Sequence, residues 1–175
     1  MSVRVAEVAD ADRIAEVAAQ TFPLACPPGT RPQDIEHFIA NVLSTRCFES
    51  YIADAARTVL VDDSTDSEVV GYAMLVSGAP ADPEIRAALS HHPTLEISKL
   101  YVSPSEHGSG SAARLMTFAL SYARESGCAG AWLGVNQRNV RAQKFYAKHG
   151  FEVVGTKTFV VGVQTHDDYV MQARL

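Results

Sequence analysis

No stretch of this chain is basic enough to hold a nucleic-acid backbone: its 15 lysines and arginines are scattered among 20 acids, leaving a formal net charge of −5. Nucleic-acid binding needs a basic face, so that class of partner is excluded. Cysteine is scarce. Cys26, Cys47 and Cys128 lie far apart, odd in number and without a CxxC pair, which argues against a disulfide framework and a zinc site alike. The six histidines fall into no ligand spacing either, so no metal is expected. Long apolar runs are also missing. Nothing approaches the roughly 18–20 residues that cross a bilayer, and the acid-bearing N-terminus lacks the apolar centre of a signal peptide. The expectation is a soluble, cytoplasmic protein with reduced thiols and no membrane partner.

What is present suits one compact unit. The 175 residues are 47% apolar and 20% charged, ordinary globular usage. A single domain over 1–175 is expected, able to bury roughly 70% of its unfolded surface without metal or disulfide.

Periodicity divides the chain. Val3, Val5 and Val8 suggest a first strand, and Asp10 or Asp12 starts a helix carrying Ile14, Val17 and Ala18 at helical spacing. Four prolines and a glycine predict a loop over 22–32. A helix follows from Gln33 with the stripe Ile35, Phe38, Ile39, Val42 and Leu43, then a short one over 48–53. Strands are expected over 58–61 and 69–76 with a turn at 62–67, and a helical turn or two over 85–89. The run TLEISKLYV at 94–102 reads as a strand, followed by a helix over 111–125. A strand at 131–135, a helix at 139–148 and an antiparallel pair at 151–163 and 168–173 complete the chain. A β–α–β unit inside an otherwise antiparallel order predicts a mixed α/β fold, with a central, mostly antiparallel sheet covered by helices on both faces.

The most informative local feature is the loop His107-Gly108-Ser109-Gly110-Ser111-Ala112, between strand and helix. Successive amides at a helix N-terminus, backed by the helix dipole, bind phosphate oxygens. Glycine permits close approach and an unusual φ, and the hydroxyls of Ser109 and Ser111 add donors. A Walker loop would need Gly-Lys-Ser/Thr, which is absent. A dinucleotide fingerprint would need an acid about 20 residues on, where Val135-Asn136-Gln137-Arg138 stands, and too little chain remains for a Rossmann domain.

Downstream, a helix starting near Asn139 puts Asn139, Ala142, Gln143 and Tyr146 on one face, with Phe145 pointing elsewhere into the core. Gly150 suits its left-handed terminus. Together the two segments resemble the GNAT (GCN5-related) N-acetyltransferases. That family carries Gln/Arg-x-x-Gly-x-Gly/Ala after a Leu-Tyr-Val strand, then Asn-x-x-Ala-x-x-Phe-Tyr-x-Lys-x-Gly-Phe. Leu100-Tyr101-Val102, Gly110 and Ala112 match the first motif, and residues 139–151 match every named position of the second. His107 and Ser111 depart from the usual residues. A looser likeness of 159–171 and 132–135 points to the bacterial spermidine/spermine acetyltransferase branch.

The resemblance implies the acyl-CoA N-acyltransferase fold, acetyl-CoA as acetyl donor, and transfer to a primary amine, a small amine or polyamine, by direct attack on the thioester. It places the pyrophosphate on the amides of His107, Gly108, Ser109, Gly110, Ser111 and Ala112. The pantetheine arm falls along Leu100, Tyr101 and Val102, with Asn139, Ala142 and Tyr146 at the cofactor. An alkyl ammonium of pKa ~10.4 must lose a proton before it attacks. Glu96 is the candidate base, sharing a strand face with Ser98, Leu100 and Val102 unless a bulge intervenes. Tyr146 is the candidate acid for the departing thiolate. Asp167 and Asp168 read as solvated strand-end acids, with binding of a cationic substrate the alternative. Residues 22–51 are expected to form much of the acceptor site, and relatives of this kind suggest a homodimer. Two other functions stay open: a peptide or protein N-acetyltransferase, and a non-catalytic acyl-CoA-binding sensor.

Overall fold

The computed structural model describes residues 2–63 and 68–175. Seven strands form one sheet: β1 (Ser2–Val5), β2 (Arg57–Asp63), β3 (Val69–Val76), β4 (Thr94–Val102), β5 (Gly130–Asn136), β6 (Phe151–Val161) and β7 (Gln164–Arg174). Their order is β1-β2-β3-β4-β5-β7-β6. All neighbours run antiparallel except β4 and β5, which are parallel and joined across helix α5 (Ser111–Glu125).

Each face of the sheet carries its own core. Leu115, Met116, Ala119 and Ala123 of α5 pack on Leu60, Ala73, Leu95 and Leu133, and helix α6 (Val140–Lys148) rests on the same core through Ala142, Phe145 and Tyr146. On the opposite face lie α1 (Ala11–Ala25), α2 (Pro32–Val42) and α3 (Thr45–Ala53), contributing Ile14, Val17, Phe22 and Phe48 over Val59, Val61, Tyr72 and Met74. The short α4 (Pro83–Ala88) covers Trp132 and Val170 through Ile85 and Leu89. Phe48 is wholly buried, with its ring edge-on to both Tyr51 and Tyr72. Phe48→Ala is expected to cost about 3–5 kcal/mol in a urea melt, the range for emptying a packed aromatic site.

The element order follows the expectation, with local corrections. The loop predicted over 22–32 begins later, because α1 runs on to Ala25 with Pro23 inside its last turn. Phe22 explains this: it is buried and stacks on Phe38 of α2 at 4.4 Å, so tertiary packing holds the terminal turn despite the proline. Asn139 caps α6 rather than opening it, its Oδ1 accepting from the Ala142 amide at 3.1 Å. The last hairpin turns at Gly162-Val163, so β6 ends before the expected 163 and β7 begins at Gln164, ahead of the expected 168. Of the turn expected at 62–67, Asp62 and Asp63 belong to β2 and the rest lies outside the described residues.

Candidate active site

Pairing between β4 and β5 lasts three residues, Thr94, Leu95 and Glu96 against Gly130, Ala131 and Trp132. Beyond Glu96 the strands diverge, although β4 runs on to Val102 and β5 to Asn136. Backbone groups of 97–102 that face β5 are therefore left without a strand partner, and such groups need one when buried. A cleft of about 570 Å³ opens in the gap. It presents a ready edge to an extended ligand.

A bulge changes what lines it. Met74 of β3 faces Lys99 while Leu75 faces Ile97, so Ser98 is the extra residue, with its Oγ donating to the Met74 carbonyl at 3.3 Å. One extra residue reverses the alternation of side chains. Leu95, Ile97, Leu100 and Val102 consequently share the α5 face, whereas Tyr101 packs on the other. Glu96 thus falls on the side of Lys99 and Tyr101, which corrects the expectation that it shares a face with Leu100 and Val102.

Glu96 is half-buried at the point where the strands part. Burial raises its carboxyl above the ordinary value, opposed by the charges of Lys157, Lys99 and Arg57. The same burial lowers the Lys99 ammonium, and Glu96 opposes that shift. Asp168 is no solvated strand-end acid: β7 begins at Gln164, so Asp168 sits mid-strand, buried and lining the cleft. Its carboxyl is raised by desolvation, against the pull of Lys157, whose Nζ lies 3.8 Å away. From β6, Lys157 extends across β7 and lies over Gly134 of β5, where any side chain would collide with it. Phe22, Phe38 and Phe159 form an aromatic wall of the cleft, with the Phe38 and Phe159 rings edge-on at 5.7 Å.

Tyr146 faces the same space from α6. Burial pushes its phenol up to about 12, so the hydroxyl keeps its proton at neutral pH. Phe145 also lines the cleft instead of pointing away from it. Asn139 and Ala142 stand beside them, and Leu100, Tyr101, Val102, His107 and Ala112 complete that end. Burial raises the phenol of Tyr101 as well.

The glycine loop sits at the entrance to α5. Gly108 and Gly110 have φ of +91° and +84°, a region that favours glycine. Among the described residues, the amides of Gly108, Gly110, Ala112 and Ala113 have no hydrogen-bond acceptor. Four free donors at a helix N-terminus fit a pyrophosphate. The amides of His107, Ser109 and Ser111 are already engaged, by the carbonyls of Pro104 and Glu106 and by Ser109 Oγ. Ser111 Oγ is buried without a partner and adds no donor to the cradle, contrary to expectation. The lining of the cleft includes His107 and Ala112 but not residues 108–111.

An amide cradle, a gap between parallel strands and a proton-bearing phenol define a protein that holds a long, phosphate-headed acyl donor. The acetyltransferase (GNAT) family matches residues 18–151, and the chain belongs to it. An uncharacterized N-acetyltransferase of Mycobacterium bovis is 46% identical over 166 residues, covering 95% of this chain and 98% of that one. Another from Lactobacillus delbrueckii is 25% identical over 175 residues, covering 99% and 98%. In fold, the chain is similar to the PaiA N-acetyltransferase of Thermoplasma acidophilum, solved in complex with coenzyme A. The TM-score is 0.80 at 20% identity, with both chains fully covered. The protein is an acetyl-CoA-dependent N-acetyltransferase.

Lys99 and Lys157 were not singled out from the sequence. Gly134, an isolated glycine inside a strand pattern, was the available signal for a close approach by another group. Among the described residues no three His, Cys, Asp or Glu side chains are grouped to hold a metal, and no helix is long and apolar enough to cross a membrane.

Proposed function

We propose that the acceptor is a small primary amine, deprotonated with the help of Glu96 and acetylated by direct attack, with Tyr146 as the acid. Acetyl-CoA, when bound, supplies the thioester carbonyl that the amine attacks. The amides of Gly108, Gly110, Ala112 and Ala113 hold its pyrophosphate, and the free edge of 97–102 orients its arm. The amide nitrogen of Asn139 stays available to that arm, because only its Oδ1 is committed to capping. Glu96, at the fork of the strands, accepts the proton of the acceptor ammonium directly or through one water. Tyr146 Oη then gives a proton to the departing sulfur, whose acid is near pKa ~8.5, and regains one from the nitrogen, whose second proton is lost as the amide forms.

The observation that carries the acceptor class is the balance of charge in the cleft. Two acids, Glu96 and Asp168, stand with three basic side chains, Lys99, Lys157 and Arg141. A polycation needs a surplus of carboxylates, and here the basic groups outnumber them. The three phenylalanines favour an apolar body on the amine. A monoamine therefore fits better than the polyamine suggested by the likeness to the spermidine/spermine branch, for which the relatives give no support. A cytoplasmic setting suits three free cysteines.

The test is thiol release from acetyl-CoA across monoamines, polyamines, arylamines, aminoglycosides and peptides. Monoamines with an apolar body should turn over best, whereas a polyamine optimum would overturn the acceptor class. Glu96 sets the acid limb of the pH profile. Its carboxyl must be ionised to accept a proton, and its pKa is raised, so kcat/KM should fall at a pH above that of an ordinary glutamate. Glu96→Gln should remove this limb and lower the plateau about 10²-fold or more. An unchanged limb in that variant removes Glu96 as the base.

A further inference from the structure

We infer that Asp62 and Arg114, which lie outside both sequence motifs, form a positioning pair that fixes the polarity of the pyrophosphate cradle. The inference rests on the assignment of the 107–112 loop to the donor's phosphates. Asp62 is a fully buried carboxylate on β2. It accepts from Arg114 Nη2 at 2.7 Å and from Nε at 3.4 Å. Arg114 stands in the first turn of α5, and its remaining arm, Nη1, donates to the Ser109 carbonyl at 2.9 Å. The guanidinium thus ties a strand on the far side of β3 to the apex of the loop.

Planarity makes this tie consequential. In a trans peptide the C=O and N–H point in opposite directions. With the Ser109 oxygen turned onto Arg114, the Gly110 N–H of the same peptide is turned away from it, and that amide is one of the cradle's free donors. Rotation of this peptide would offer a carbonyl oxygen in place of an amide and repel a phosphate. Among the described residues this peptide makes no other hydrogen bond that would oppose the rotation. Gly110 is the N-cap of α5 at φ +84°, with no side-chain cap, and glycine flanks Ser109 on both sides. The arginine also lies close beneath the turn, since a Cβ on Gly110 would come within 3.3 Å of Nη1. A fork with three placed donors can hold carboxylate and carbonyl together, whereas a lysine offers a single point of charge. Asp62 is the fixed base that aims the fork.

The experiment compares two donors. S-acetylpantetheine carries the thioester and arm but no pyrophosphate, so it does not use the cradle. Removing one partner would strand a buried charge, so the main variant is D62N/R114Q, with R114K as the conservative change. CoA affinity is measured by calorimetry, and kcat/KM is measured for both donors with one amine. In D62N/R114Q, CoA binding should weaken about tenfold or more, the equivalent of one lost hydrogen bond to a charged group. The preference for acetyl-CoA over S-acetylpantetheine should fall by the same factor, with R114K in between. Equal losses for both donors would mean general damage to the fold and overturn the pair's role, as would wild-type CoA affinity in the double variant. If the wild type itself does not prefer acetyl-CoA over S-acetylpantetheine, the cradle assignment fails and this inference fails with it.

Discussion

Gly110→Glu should abolish CoA binding in calorimetry while leaving the circular dichroism of the protein unchanged. Three effects act together. Residue 110 sits at φ +84°, where a residue with a Cβ is strained by roughly 1–2 kcal/mol. That Cβ would meet Arg114 Nη1 at 3.3 Å, tighter than ordinary contact. The largest effect is the added carboxylate: its charge beside the cradle repels the phosphates, and from a Cβ next to Arg114 it competes with the Ser109 carbonyl for the guanidinium that orients the turn. Gly110→Ala isolates the first two effects and should weaken binding about tenfold, since ~1.4 kcal/mol corresponds to that factor. Ordinary CoA titration by the glutamate variant would remove the loop from the donor site.

The second large effect belongs to Tyr146→Phe. The change keeps the ring that packs edge-on against Phe145 and Phe151 and deletes only the hydroxyl. Its phenol, held near 12 by burial, is protonated across the working pH range and can donate to the leaving sulfur throughout. Loss of a general acid of this kind is worth about 10²–10⁴ in rate. The expected result is a fall in kcat of that order with CoA affinity nearly constant. A wild-type kcat at saturation would remove Tyr146 as the acid. The two variants separate the functions of the cleft, because one fails to bind donor and the other binds it without turnover.

Much of this was legible from residue patterns, and the reasons differ by region. The run at 94–102 and the helix at 111–125 were placed at their ends because strong periodicity met unambiguous punctuation, proline before the strand and glycine before the helix. The position of the glycine loop before α5 and that of Tyr146 in the cleft were legible because motif residues sit at fixed offsets, but which loop amides are free was not, since those of His107, Ser109 and Ser111 are engaged within the turn. The face of Glu96 was not. It depends on Ser98 being extruded against β3, a register choice made between two strands and invisible within either. Lys157 escaped for a similar reason. Its reach to Asp168 and across Gly134 is a property of three strands lying side by side, β6, β7 and β5. Asp168 was misplaced because β7 was drawn too short, which turned a mid-strand position into a strand end. Pro23 misled in the opposite sense, since a breaker residue was outweighed by the stacking of its neighbour Phe22 on Phe38.

The parallel junction has one more consequence. With only three residue pairs joining β4 to β5, the sheet is a four-strand half and a three-strand half meeting along a short seam, with α5 spanning it. On the proposed placement, an extended donor arm against the free edge of β4 would complete that seam, making the substrate a temporary piece of the architecture. Folding and donor supply are then coupled by mass action: a donor held only by the native state adds about 2.7 kcal/mol of stability at a hundred times its dissociation constant. The protein is therefore expected to be most stable when its acetyl donor is plentiful, which a melt at increasing CoA would show.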